Sequence, residues 1–264
     1  VGLLVGLLFA LLAERGAPAT VRYRAAPDLR PGFATAAVAT AAPDPLHGAT
    51  VLGNIPDYAA LRAADIVIDR PGDAYARSVD ALVSRVAPRT RGQGGKIIAV
   101  TAAEPNEGRT ALATALARAA TQRGLRAIVI DSDFQSPHVA AAMGLYPGYE
   151  GLQEVLAGRT PLSEILARDT RSGALLLSPA REQLGVPFLN ALPQLVAYLK
   201  RSFDLVILDC PPPSYANASR AFLPLSDAAV LLVRWQSTPR AAVTQTIDTL
   251  RALRVPATGV VFAR

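Results

Sequence analysis

The sequence predicts an α/β fold in which a parallel sheet carries helices on both faces. Short apolar runs recur without the polar alternation of a half-solvated strand, and helical stretches separate several of them. An apolar fraction of 51% over 264 residues supplies enough material for a sizeable core. In chain order, Lys96 to Thr101 reads as a strand. After a loop, Thr110 to about Arg123 reads as an Ala-rich helix with Gly124 as its stop. Ala127 to Asp131 is a second strand, Ala174 to Leu177 a third and Leu205 to Asp209 a fourth. Ala228 to Val233 and Gly259 to Phe262 complete the series, with helices near Leu189 to Lys200 and Arg240 to Leu253. In such sheets ligands sit at the carboxyl ends of the strands, so the chemistry is sought there.

Composition narrows the function. One cysteine, Cys210, excludes a disulfide framework and a four-cysteine zinc site, and it points to a reducing compartment. His47 and His138 are the only histidines, which leaves little for a histidine-built metal centre. The net charge of +6 is carried almost wholly by arginine, since Lys96 and Lys200 are the only lysines. Positive charge alone does not choose between nucleic acid, anionic lipid and a phosphate ligand.

The chain opens on an unbroken apolar run, Val1 to Ala13. At about 1.5 Å per residue it reaches roughly 20 Å, short of the ~30 Å of a bilayer's hydrocarbon core. It has neither the basic leader of a signal peptide nor a polar stripe. Residues 1–14 therefore read as the end of a transmembrane helix whose first turns precede Val1. Arg15, Arg22, Arg24 and Arg30, set against Glu14 and Asp28, place the following side in the cytoplasm, although an ordinary solvated stretch has the same look. Residues 31–50, rich in Ala, Pro and Thr, read as linker.

Three strand ends carry one chemistry. The first is Ala103-Glu104-Pro105-Asn106-Glu107-Gly108-Arg109-Thr110, just before a helix. It has the frame of a phosphate-binding loop, whose backbone amides and helix N-terminus form a nest for an anion. Gly108 permits close approach of the backbone, Asn106 tolerates positive φ, and the Thr110 hydroxyl would ligate Mg²⁺. The strict pattern fails at Ala103, for the first glycine, and at Arg109, for the lysine. Taken alone, the loop is equally a strand-to-helix turn closed by Thr110. The second end, Asp131-Ser132-Asp133, offers two carboxylates that can hold a hydrated Mg²⁺ or orient a nucleophile hydroxyl. A solvated Asp-rich turn is the plain alternative. The third, Asp209 before Cys210-Pro211-Pro212-Pro213, suits a carboxylate just beyond the ligands of a nucleotide-site Mg²⁺, or equally a helix cap. The three in this order, each at a strand's carboxyl end, indicate nucleotide-binding ancestry.

Together with Val51-Leu52-Gly53-Asn54-Ile55-Pro56 after a membrane segment, these residues resemble the bacterial tyrosine kinases, or BY-kinases. Those are the cytoplasmic P-loop domains of polysaccharide co-polymerases in exopolysaccharide and capsule export. The resemblance spans the chain and is strongest over residues 95–235. Ala103 to Thr110 is similar to the family's Walker A, Ala127 to Asp133 to its Walker A′, and Asp204 to Pro212 to its Walker B. Gly151-Leu152 with Leu156-Ala157-Gly158 is similar to a further family segment.

The resemblance implies a juxtamembrane linker over residues 15–70 and a P-loop NTPase-type domain over 71–264. It implies a homo-oligomer at the bacterial inner membrane, working with polysaccharide polymerase and export machinery and not with nucleic acid. ATP and Mg²⁺ are the implied cofactors. Ala103, Pro105, Asn106, Glu107, Gly108, Arg109, Thr110 and Ala111 would hold the nucleotide, and Thr110, Asp133 and Asp209 the metal. Asp131 would activate a tyrosine hydroxyl, and Arg109, the other catalytic candidate, stands in the place of the phosphate-binding lysine. The implied reaction is γ-phosphoryl transfer from ATP to tyrosines of a neighbouring subunit, regulating chain length and export.

The sequence also departs from that family. Arg109 keeps the lysine's charge on a larger planar fork, and an ångström of misplacement at a γ-phosphoryl can cost ~100-fold in rate. Gln135 stands where the family has a basic residue. On the helix after Pro71, Arg77 and Asp80 reverse the family's acidic-then-arginine order. They either keep an internal pair, spoil an intersubunit one, or simply face solvent. The seven tyrosines are scattered and form no acceptor cluster. Three functions stand open: an ATP-dependent tyrosine autokinase of impaired activity, an inactive kinase-like scaffold, and a partition-type ATPase. The last is opposed by Ala103 and Glu104, where that group carries an additional lysine.

Overall fold

A computed structural model describes residues 46, 48–58, 61–88, 94–146, 148, 150–179, 190–256 and 258–264. The expected membrane-helix end, the basic stretch and most of the linker lie outside the described residues, as does the start of the helix expected from Leu189. Among the described residues, no helix is long and apolar enough to cross a membrane.

The elements run β1 (Thr50–Ile55), a 3₁₀ turn (Leu61–Asp65), α1 (Ile66–Asp69), α2 (Ala74–Val86), β2 (Lys96–Ala102), α3 (Arg109–Gln122) and β3 (Ala127–Asp131). Then come α4 (Val139–Met143), α5 (Leu152–Leu156), α6 (Leu162–Ile165), β4 (Ala167–Arg168), β5 (Leu175–Leu177), α7 (Leu192–Ser202) and β6 (Leu205–Asp209). The last are α8 (Asn217–Phe222), β7 (Ala228–Arg234), α9 (Arg240–Ala252) and β8 (Thr258–Ala263). The eight strands form one sheet in the order β1-β8-β7-β2-β6-β3-β5-β4, parallel except for the β4–β5 edge pair.

The apolar runs become the centre of the sheet because both of their faces are covered. Ile98, Val100, Val129 and Ile207 join Val79, Val83, Leu112 and Leu116 of α2 and α3. Ile97, Ala99, Ile128, Ile130, Val206 and Leu208 turn the other way, toward Leu192, Val196 and Leu199 of α7 and Phe222 of α8. Helix α3 is buried from Thr110 to Ala120, and its alanines let it lie close to the sheet while favouring the helical backbone. Burying Leu112 and Leu116 completely is worth about 1.5–3 kcal/mol each. This fixes the helix that carries the phosphate-binding loop at its N-terminus.

One expectation changes, and one of the alternatives left open for Arg77 and Asp80 falls away. Residues 50–55, expected as linker, form edge strand β1 in parallel pairing with β8. Gly53 and Asn54 are poor strand formers, so the local pattern reads as loop, and pairing with β8 overrides it. Ala63, Ala64, Ile66 and Val67, also in the expected linker, are buried in the core. The Arg77–Asp80 internal pair does not form. Asp80 instead accepts from Nε of Arg123, just past α3, at 2.6 Å, and Arg77 donates to the Gly72 carbonyl.

Candidate functional site

Strand β6 pairs with both β2 and β3, so three carboxyl ends lie side by side. The register sets Asp131 directly opposite Asp209. The loop leaving β2 turns through Asn106 at φ 62° and Gly108 at φ 94° before α3 begins at Arg109. The first amides of that helix have no intrahelical partner, and the left-handed turns tilt the loop backbone into a concave nest. The Glu107 side chain folds back beneath the loop. Its Oε2 accepts from the amides of Ala103 at 3.1 Å and Glu104 at 3.3 Å, and its Oε1 accepts from the Thr238 hydroxyl. Burial pushes the Glu107 pKa up, against the opposing pull of those bonds.

Arg109 lies at the centre of the charge. One guanidinium nitrogen donates to Asp209 Oδ1 at 2.8 Å and another to Asp133 Oδ2 at 2.6 Å. The Thr110 hydroxyl donates to Asp209 Oδ2 at 2.8 Å. Burial alone would lower the Arg109 pKa, but Asp209 and Asp133 outweigh it and hold it above the usual value. Burial raises the pKa of Asp209, with Arg109 and Thr110 opposing. Asp131 is fully buried. Its Oδ1 accepts from the Asp133 amide and its Oδ2 from the Val139 amide, each at 3.0 Å. Burial first, and the Asp209 charge second, push the Asp131 pKa up to about 7.

A cavity of about 420 Å³ opens over the loop, lined among others by Asn106, Gly108, Arg109, Thr110, Asp133 and Gln135. A larger depression of about 600 Å³ runs along α9. It is open to solvent and lined by a single helix, so no chemistry converges on it.

Residues 95–256 match the family described as AAA domain. The chain belongs to this family. The succinoglycan biosynthesis transport protein ExoP of Rhizobium meliloti is 26% identical over 67% of this chain and 23% of its own length. The septum site-determining protein MinD of a Synechocystis strain is 30% identical over 56% of each chain. Among solved structures, the kinase domain of the Escherichia coli tyrosine kinase ETK superposes with a TM-score of 0.70 at 22% identity, covering 85% of this chain and 94% of that one. The chain thus spans about a quarter of the length of ExoP and just over half of MinD. The fold is that of a bacterial tyrosine-kinase domain, as the resemblance implied.

In this AAA domain Pro105, Asn106, Gly108, Arg109, Thr110, Ala111 and Asp133 reach the cavity. Ala103 and Glu107 are buried, and they shape the loop from beneath. Asp209 is buried at the foot of the cavity, where Thr110 and Arg109 cover it. Asp131 sits behind them, with both oxygens already hydrogen-bonded.

Sequence reasoning missed Ser136, His138 and Tyr215, which also line the cavity. The Tyr215 hydroxyl donates to Glu104 at 2.6 Å across 111 residues of chain. The only signal was that Tyr215 closely follows the proline run at the carboxyl end of β6.

Thr110, Asp133 and Asp209 are the donor types a hard cation wants. As arranged, Asp133 and Asp209 do not both ligate Mg²⁺ directly, because the Arg109 fork lies between them and bonds an oxygen of each carboxylate. Among the described residues, no group of three or more His, Cys, Asp or Glu side chains is placed to hold a metal ion.

Proposed function

We propose that this AAA domain binds ATP through residues 105–111 and serves as the kinase-like, ATP-responsive part of a membrane protein that regulates exopolysaccharide polymerisation, chain length and export. The observation that carries the nucleotide reading is the cavity over a left-handed loop at the N-terminus of a buried helix, beside the convergent carboxylates. Loop amides and the helix terminus suit a polyphosphate, and a volume of about 420 Å³ suits a small-molecule ligand. Support for the polysaccharide reading comes from ExoP, named for succinoglycan biosynthesis, together with the ETK fold. On this reading the chain works as a homo-oligomer at the inner membrane, with residues 71–264 in the cytoplasm.

Phosphoryl transfer to a tyrosine hydroxyl is impaired on this reading. Asp131 has the proton affinity of a base poised near neutral pH, since its pKa stands at about 7. It is nonetheless sealed from solvent, with a backbone amide on each oxygen, so a tyrosine does not reach it in this conformation. The same observation favours a second reading, a scaffold that binds nucleotide without transferring phosphate.

The experiment is a phosphotyrosine assay on the full chain with ATP, beside Arg109→Lys, after calorimetric titration of both with ATP. Micromolar binding with weak labelling, raised in Arg109→Lys, supports the impaired kinase. Binding without labelling in either chain supports the scaffold. Absence of ATP binding in both refutes the nucleotide reading.

A further inference from the structure

The geometry points to Arg109 as the resident cation of this site. Its guanidinium takes the cation's place between Asp133 and Asp209, so the chain binds a nucleoside polyphosphate without a divalent ion. This inference rests on the nucleotide reading above and extends it to the counter-ion.

Asp209 Oδ1 accepts from Arg109 and Oδ2 from Thr110. Asp133 Oδ2 accepts from Arg109 and Oδ1 from the Ser136 amide at 3.0 Å. Both oxygens of Asp131 accept backbone amides. All six carboxylate oxygens at the three strand ends therefore already carry a donor. A magnesium ion held directly by both Asp133 and Asp209 would need their oxygens at about 2.0–2.1 Å in near-octahedral array, and the guanidinium stands between those two carboxylates.

Burial makes the replacement firm. The Arg109 side chain is 12% exposed and that of Asp209 is 1% exposed, so the pair is poorly screened by water. A planar fork bridges two carboxylates in a way that a compact ammonium cannot. The described bonds use two of the five guanidinium donors, and Arg109 also lines the cavity. The unused donors can take phosphate oxygens in charge-assisted bonds. Among the described residues that line this cavity, Arg109 is the one arginine or lysine. A single side chain thus bridges the two carboxylates beneath it and offers its remaining N–H donors to a ligand above.

The test has two arms on the full chain. In the first, Mn²⁺ is titrated without nucleotide and free ion is followed by electron paramagnetic resonance, for the native chain, Arg109→Ala and Arg109→Lys. Both variants are expected to bind Mn²⁺ at least about tenfold more tightly than the native chain, and Asp209→Asn added to either should abolish the gain. Native binding within about threefold of both variants overturns the inference. If Arg109→Ala does not fold, Arg109→Lys, which keeps the charge, is read alone.

In the second arm, ATP affinity is measured with Mg²⁺ and with excess EDTA. The native chain is expected to change by less than about threefold, and Arg109→Lys to weaken by about tenfold or more in EDTA. Native binding that requires Mg²⁺ overturns the inference and leaves the nucleotide reading standing. ATP binding absent in both media, with the Mn²⁺ result as expected, refutes the nucleotide reading while Arg109 stays the resident cation.

Discussion

Replacing Arg118 with methionine removes a fully buried cation. Arg118 is fully buried in the middle of α3. Its Nε donates to Asp169 at 2.8 Å, one terminal nitrogen donates to Asp65, and the other reaches the Met143 carbonyl at 3.4 Å. Burial alone would raise the pKa of Asp169, but the bonds from Arg118 and Ser172 win and hold it below the ordinary carboxylate value. Breaking such a pair by removing one partner costs about 3–5 kcal/mol, because the other charge stays buried. Asp169 keeps the Ser172 hydroxyl at 2.7 Å and the Arg171 amide at 3.1 Å, and Asp65 keeps Arg171 at 2.8 Å. The cost therefore falls at the lower end, about 3 kcal/mol, or a Tm lower by roughly 6–12 °C at 2–4 °C per kcal/mol. The assay is thermal unfolding followed by circular dichroism, with Arg118→Met/Asp169→Asn as the second chain. Neutralising Asp169 should recover part of the loss. A single variant melting within about 2 °C of native, or a double variant no better than the single, would show that the buried pair does not carry this stability.

Two further outcomes follow from the loop. The folded pKa of Glu107 stands above the ordinary value of 4.5, so the native chain holds more protons than the unfolded chain between the two values. Stability should therefore fall as pH rises from about 4.5 through the raised folded pKa. Glu107→Gln should flatten that slope, because its carbonyl can accept the two loop amides and its amide can donate to Thr238. Urea unfolding at a series of pH values checks this, and parallel curves would contradict it. In Gly108→Ala the new Cβ has room, the nearest atom being Leu232 Cδ2 at 3.8 Å, so the cost comes from φ at +94°. About 1–2 kcal/mol of stability should be lost, together with ATP affinity, as measured by urea unfolding and calorimetry.

How much of this was legible depended on whether the determining partners were local. Ala127–Asp131 and Leu205–Asp209 emerge with the expected bounds, because strands buried on both faces need unbroken apolar runs. The loop frame and the acids at strand ends were legible for the same reason, since the topology sets them at one edge of the sheet. Strand β1 was not, because its pairing with β8 is made from the far end of the chain. Nor was the Arg109 bridge. The sequence shows an arginine in a lysine's place, but its partners lie 24 and 100 residues away, and only the strand order β2-β6-β3 brings them within reach. Arg118 carries no signal at all within its Ala-rich helix, because Asp65 and Asp169 reach it from 53 and 51 residues away.

Hydrogen exchange on the full chain with and without ATP shows most directly whether the loop before α3 is the nucleotide site. Slowed exchange is expected at the amides of residues 106–111, with no change in the Thr50–Ile55 edge strand. Protection confined to the α9 depression, or none anywhere, would contradict it.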